Sequence, residues 1–172
     1  MLLSDDDFTL FGLPRRFALD RSELDARWRA LQAEAHPDRF AAEGGAAQRL
    51  AMQWAVRINE AHGRLKDPLA RAAYLCELHG APVRAEDNTA MPAAFLMQQM
   101  AWREALDEAD TLQAVEALED EVRADEKCRF GRVAAALDEA GDAAAAAAEV
   151  RALMFVARFR HDITRRLEAL EH

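Results

Sequence analysis

The chain has 172 residues, 51% hydrophobic and 31% charged, enough to bury the core of one domain or two small ones and remain soluble. Its net charge of −9 lies in the second half: residues 1–75 hold 11 acidic and 11 basic side chains, residues 76–172 hold 20 and 11. That excess repels phosphate backbones, so no nucleic-acid partner is expected; it fits a protein partner with a basic surface, or serves solubility alone.

From the start of the chain, Met1–Asp7 is acidic where a signal peptide is basic, and no apolar run approaches the roughly 20 residues that cross a bilayer. Both features predict a cytoplasmic protein without a membrane partner. Phe8–Pro14 is a short apolar opening ended by Gly12 and Pro14. Asp20-Arg-Ser-Glu23 has capping-box spacing and starts a helix whose apolar stripe is Leu24, Trp28, Leu31 and Ala35. Pro37 ends it, because the residue before a proline is pushed out of the helical region. Asp38–Gly45 then reads as loop. A second long helix covers about 46–65, with Ile58, Ala61 and Leu65 on one face. Asp67 and Pro68 start a third, which stops at Gly80.

Residues 81–92 have two prolines and no periodicity, and read as a linker. Beyond it come helices at about 93–109, 112–140 and 143–170, the last two joined as an antiparallel hairpin by Gly141-Asp142. No segment alternates as a strand, so the fold class is all-α. The domains are 1–75, a connecting helix end and linker at 76–92, and a three-helix bundle at 93–172. Cys76 and Cys128 fit no disulfide or metal spacing, and His62, His79 and His161 have no ligand partners at metal spacing, so no metal or cofactor is expected.

His36-Pro37-Asp38 stands between two antiparallel amphipathic helices. Proline stiffens the turn, so His36 and Asp38 project from it, and a carboxylate held this way can pair with a partner's arginine. Taken without its surroundings, the tripeptide is compatible with a loop of no function. In its helical frame, with Phe8–Pro14 before it and Leu65–Tyr74 after it, the segment resembles the J-domain family. Phe8–Pro14, His36–Phe40, Tyr74–Gly80 and Phe95–Gln99 are similar to the HscB subfamily over nearly the whole chain. The resemblance implies an L-shaped, two-domain co-chaperone of iron–sulfur cluster assembly. Such a protein is not an enzyme. It binds a scaffold of the IscU type, delivers it to a DnaK-type chaperone of the HscA type, and stimulates that chaperone's ATPase. The implied chaperone-binding residues are His36, Pro37, Asp38, Arg39, Arg29 and Arg27. Arg39 stands where the subfamily often has lysine, and the helix before the turn carries Asp25 and Glu34 among its arginines.

Helical geometry offers a second site. At about 100° per residue, Phe95, Trp102, Leu106 and Ala109 share one face and form the core stripe. Leu96, Met97 and Met100 lie on another face, bordered by Glu104, Asp107 and Glu108. On the last helix Leu153, Val156, Phe159, Ile163, Leu167 and Leu170 form the stripe, with Phe155 at its flank and Met154 opposite. An apolar patch edged with charge marks a binding surface, unless it packs against the first domain. The resemblance implies that Leu96, Met97, Met100, Glu104, Glu108 and Phe155 bind the scaffold; Ala101, where relatives can have glutamate, implies a weaker acidic rim. Two rival readings are a phosphotransfer domain using a helical histidine and a general client-holding J-protein. The first is opposed by His36 standing before a proline, the second by the lack of Gly/Phe-rich or Cys-x-x-Cys segments.

Overall fold

The computed structural model describes residues 1–84 and 91–172, which form two compact units, Met1–Leu75 and Cys76–His172. The described residues are helical with no strand. In the first unit α1 (Asp7–Leu10) is a single turn capped by Asp6, whose carboxylate accepts from the Phe8 and Thr9 amides. Gly12 follows with φ +64°, a left-handed conformation that favours glycine, and a Cβ there would stand 2.8 Å from Arg27 Nη1, which would have to shift. Asp20 caps α2 (Arg21–Glu34), but Glu23 pairs with Arg27 instead of reaching back, so only half the capping box forms.

α2 and α3 (Gly45–Lys66) run antiparallel, since Asp25 meets His62 while Trp28 and Gln32 meet Asn59. Phe8, Leu24, Ile58, Ala61, Leu65, Ala72 and Leu75 form the buried interior, the last two on α4 (Pro68–Leu78). Of the expected α2 stripe only Leu24 is fully buried; Trp28, Leu31 and Ala35 are half-buried. The reason is that α1 covers only the base of the hairpin. There Asp7, completely buried, stands 2.8 Å from Arg57 Nη1 and 3.5 Å from Arg64 Nε. These approaches miss hydrogen-bond geometry, so the attraction is between charges. Asp7 also donates its amide to the Tyr74 hydroxyl.

Asp6 sets the acid limit of this corner. Burial pushes its carboxyl up, but hydrogen bonds from Arg15 and Thr9, with the Arg15 charge, outweigh that and hold it at about 2, against an ordinary 3.8. A carboxyl depressed in the folded state stabilises above its unfolded value and loses that contribution as pH falls through the folded one. Asp6→Asn should therefore cost on the order of 1–2 kcal/mol at pH 7, where Arg15 is half-exposed and screened, and almost nothing at pH 2. Thermal melts of both proteins at the two pH values check this; an equal deficit at both would refute it.

The second unit holds α5 (Ala93–Glu108), α6 (Leu112–Ala134) and α7 (Ala143–Glu171). Thr111 caps α6 and Asp142 caps α7, after Gly141 at φ +63°. The last turn of α6 widens into a π-turn over Ala135–Glu139, where a uniform helix is expected to 140; Ala140 bonds back to the Ala135 carbonyl. Phe95, Trp102, Leu106 and Ala109 pack as expected against Val115, Leu118 and Val122 of α6 and Ala152, Val156, Phe159 and Ile163 of α7. The alanine run is helical, and Ala146 and Ala147 are buried. Arg129 ties the three helices together: it pairs with Asp125 (2.7 Å) and Glu149 (3.0 Å), donates to Gln98, and stands 4.4 Å over the Phe95 ring. Removing one member of such a buried set leaves an uncompensated charge and costs about 3–5 kcal/mol, so α5 is firmly held on the bundle.

α4 ends at Leu78, and Gly80 follows with φ +77°. Of the expected linker, residues 85–90 lie outside the described residues. Ahead of them Val83 is buried, and its carbonyl accepts from Arg151 of α7 at 2.9 Å.

Candidate functional site

The first site is the turn after α2. His36 is extended (φ −62°, ψ 127°), as a residue before proline must be, and its ring Nδ1 accepts the Asp38 amide at 3.3 Å. The turn is more ordered than expected: Pro37–Glu43 is a 3-10 helix, not a loop, because His36 caps it and Pro37 presets its first residue. Gly44 at φ +97° then leads into α3. The His36 side chain is 58% exposed and that of Asp38 91%. His36 Nδ1 lies 3.6 Å from an Asp38 oxygen. With Nδ1 assigned as acceptor of the amide proton, that carboxylate gains no hydrogen bond and faces water.

The flanking arginines divide. Arg39 donates to the Ala33 carbonyl at 3.2 Å and anchors the turn to the end of α2. Arg29 is exposed and forms no ion pair among the described residues. Arg27, expected as a chaperone contact, spends its guanidinium on the Phe11 (2.8 Å) and Gly12 (3.0 Å) carbonyls and on Glu23 (2.7 Å). In this structure it braces the α1–α2 connection, and the sequence reading missed this because its acceptors lie in an earlier element.

Toward the other end of the hairpin, His62 Nε2 lies 2.7 Å from Asp25, and its ring stacks on Trp28 with centroids 4.2 Å apart. The His62 bond, followed by that of Arg21, holds the Asp25 carboxyl below its ordinary range. His62 is thus a packing residue, while His79 and His161 are exposed. Among the described residues no three His, Cys, Asp or Glu side chains gather as metal ligands. Both cysteines are free, and burial pushes the Cys76 thiol up to about 11.

The second site lies on α5 and α7. Leu96, Met97 and Met100 are 44%, 70% and 72% exposed. A cleft of about 770 Å³ brings Met100, Glu104 and Glu108 together with Phe155, and adds Asp107 and Arg158. Leu96 and Met97 lie outside that cleft, toward the start of α5. Phe155 is half-buried against the core. Met154, expected opposite the core stripe, is half-buried too, because α7 buries a wider face than its stripe, including Ala152 and Val150.

An exposed HPD turn at the tip of an antiparallel hairpin, together with a separate three-helix unit, is the architecture of a J-domain co-chaperone. Residues 91–164 match the family described as the HSCB C-terminal oligomerisation domain. The chain is 52% identical to the co-chaperone protein HscB homolog of Burkholderia mallei (strain SAVP1), covering 99% of this chain and 98% of that protein. Among solved structures, chaperone HscB from Vibrio cholerae aligns with TM-score 0.83 and 36% identity over 96% of this chain and 99% of the other. The human co-chaperone protein HscB aligns with TM-score 0.89 and 26% identity over 95% and 82%. The chain belongs to the HscB family of co-chaperones.

Proposed function

We propose that this protein is an adaptor of iron–sulfur cluster assembly in the cytoplasm. It binds a cluster scaffold of the IscU type, brings it to a DnaK-type chaperone of the HscA type, and stimulates ATP hydrolysis by that chaperone. The observation that carries this reading is the Asp38 carboxylate, held on a stiff turn and 91% exposed. A carboxylate so presented is ready for a charge-assisted bond to a cationic partner. His36 and Pro37 shape the turn, Arg39 anchors it, and Arg29 offers a free cation beside it; Arg27 contributes by bracing the hairpin.

The scaffold docks on Leu96, Met97, Met100 and Phe155, with Glu104 and Glu108 receiving its basic groups. The exposure of the α5 side chains supports this, since a helix gains nothing from three large apolar groups in water. The chain itself contributes neither a catalytic step nor a cofactor; the ATPase site belongs to the chaperone. The charge of −9 argues against nucleic acid, and among the described residues no helix is long and apolar enough to cross a membrane. A tagged full-length chain should retain both an IscU-type scaffold and an HscA-type chaperone from a cell extract. Recovery of neither, from folded bait, would sink the reading.

A further inference from the structure

Two arginines line the α5–α7 cleft; Arg103 of the α5 wall is paired with Asp162, and Arg158 is not paired with an acid among the described residues. The α5 wall presents Glu104, Asp107 and Glu108, all exposed and without an ion-pair partner among the described residues. The α7 wall presents Phe155, packed on one side against the core, and Arg158, whose guanidinium carbon stands 5.6 Å from the centroid of the Phe155 ring. Arg158 is exposed and forms no ion pair among the described residues. Asp162, one turn further on, is already held by Arg103 (3.1 Å) and Arg165 (2.5 Å).

We propose that Arg158 is a specificity residue that works by opposition, covering the Phe155 ring and repelling the basic group that the acidic wall attracts. The inference rests on the reading of this cleft as the scaffold-binding surface, and charge complementarity defines the occupant. That occupant is a scaffold segment bringing an apolar side chain to Met100 and Phe155 and a lysine or arginine to Glu104, Asp107 and Glu108. For the apolar group to reach the ring, the guanidinium must leave it and surrender the cation–π contact. Asp162 is not free to receive it, so the displaced charge stays at the cleft and faces the incoming cation. Affinity is held down as a result. An adaptor that passes its cargo onward is served by a complex that lets go, and Arg158 provides this from the chain's own surface.

Calorimetric titration of the full-length chain with a purified IscU-type scaffold, at two salt concentrations, tests this. Arg158→Ala should bind about two- to fivefold tighter, the factor that an exposed cation–π contact represents. Arg158→Glu should bind tighter still at low salt and lose more affinity as salt is added. Arg158→Lys, which keeps the charge but not the flat stacking group, should fall between the wild type and the alanine variant. Arg158 is exposed and forms no ion pair among the described residues, so all three variants should fold and melt within a few degrees of the wild type. Weaker or unchanged binding by Arg158→Ala overturns the proposal. A chain with Leu96, Met97, Met100 and Phe155 all changed to alanine separates the two levels. If it binds like the wild type, the reading of the surface fails. If it does not bind and Arg158→Ala is no tighter, the role of Arg158 fails by itself.

Discussion

Asp38→Asn should abolish stimulation of the chaperone ATPase while leaving the fold of this protein intact, and His36→Gln should do the same. Both side chains point into water from the 3-10 turn, and neither is buried by the hairpin. Surface changes of this kind stay within about ±0.5 kcal/mol in stability. The functional loss has a different scale. Asparagine keeps the size of the group and removes its charge, so a partner guanidinium in a desolvated interface loses its counter-charge. Truncating such a pair costs about 2–5 kcal/mol, a factor of about 30 to several thousand. Gln can still accept the Asp38 amide that His36 Nδ1 accepts, so the turn survives while the ring is lost. Steady-state ATPase assays, with circular dichroism on the same preparations, decide the matter. Normal stimulation by folded variants would remove the turn from the mechanism.

The second large effect is expected from changing Leu96, Met97, Met100 and Phe155 together to alanine: scaffold binding should disappear, with helicity and chaperone stimulation by the free protein retained. Burying a large apolar side chain contributes about 1.5–3 kcal/mol, so four contribute about 6–12 before association costs are subtracted. No remaining contact on this surface replaces that. The three α5 positions are exposed, and alanine is the better helix former, so their loss does not weaken α5. Phe155 packs partly on the core, which makes the triple variant at Leu96, Met97 and Met100 the control for folding. A quadruple variant that unfolds, or that binds with undiminished affinity, would assign these residues to the core or place docking elsewhere.

What the sequence made legible was local. Asp20, Pro37 and Asp142 mark helix ends by chemistry that acts within three residues, and each does so in the structure. Phe95, Trp102, Leu106 and Ala109 declare a core stripe by spacing, and their complement Leu96, Met97 and Met100 declares a surface. What stayed hidden depends on which element lies opposite. Asp7 looks like one more acid in an acidic opening until Arg57, Arg64 and Tyr74 close over it. Arg27 looks like an open cation until the Phe11 and Gly12 carbonyls take it. Arg129 is one of many charges on α6, and only the bundle shows that Phe95, Gln98 and Glu149 converge on it. Periodicity reports a residue's face on its own helix and is silent about the neighbour that covers it.

The far end of α5 has a consequence for motion. Its last turn carries Asp107 and Glu108 with no base, and Glu104 stands one turn before Glu108, so like charges gather at the end where the helix dipole is already negative. The cation missing from that last turn comes from α7, where Arg166 reaches the Ala109 carbonyl at 2.9 Å. A terminus arranged this way opens locally at less cost than the rest of the bundle. Cations brought by the proposed scaffold would cancel the repulsion, so occupancy and order should rise together there. Amide hydrogens of the last two turns of α5 should therefore exchange more readily in the free chain than those of its middle, and should slow if a basic segment lies across them, making the helix end a gauge of its own load.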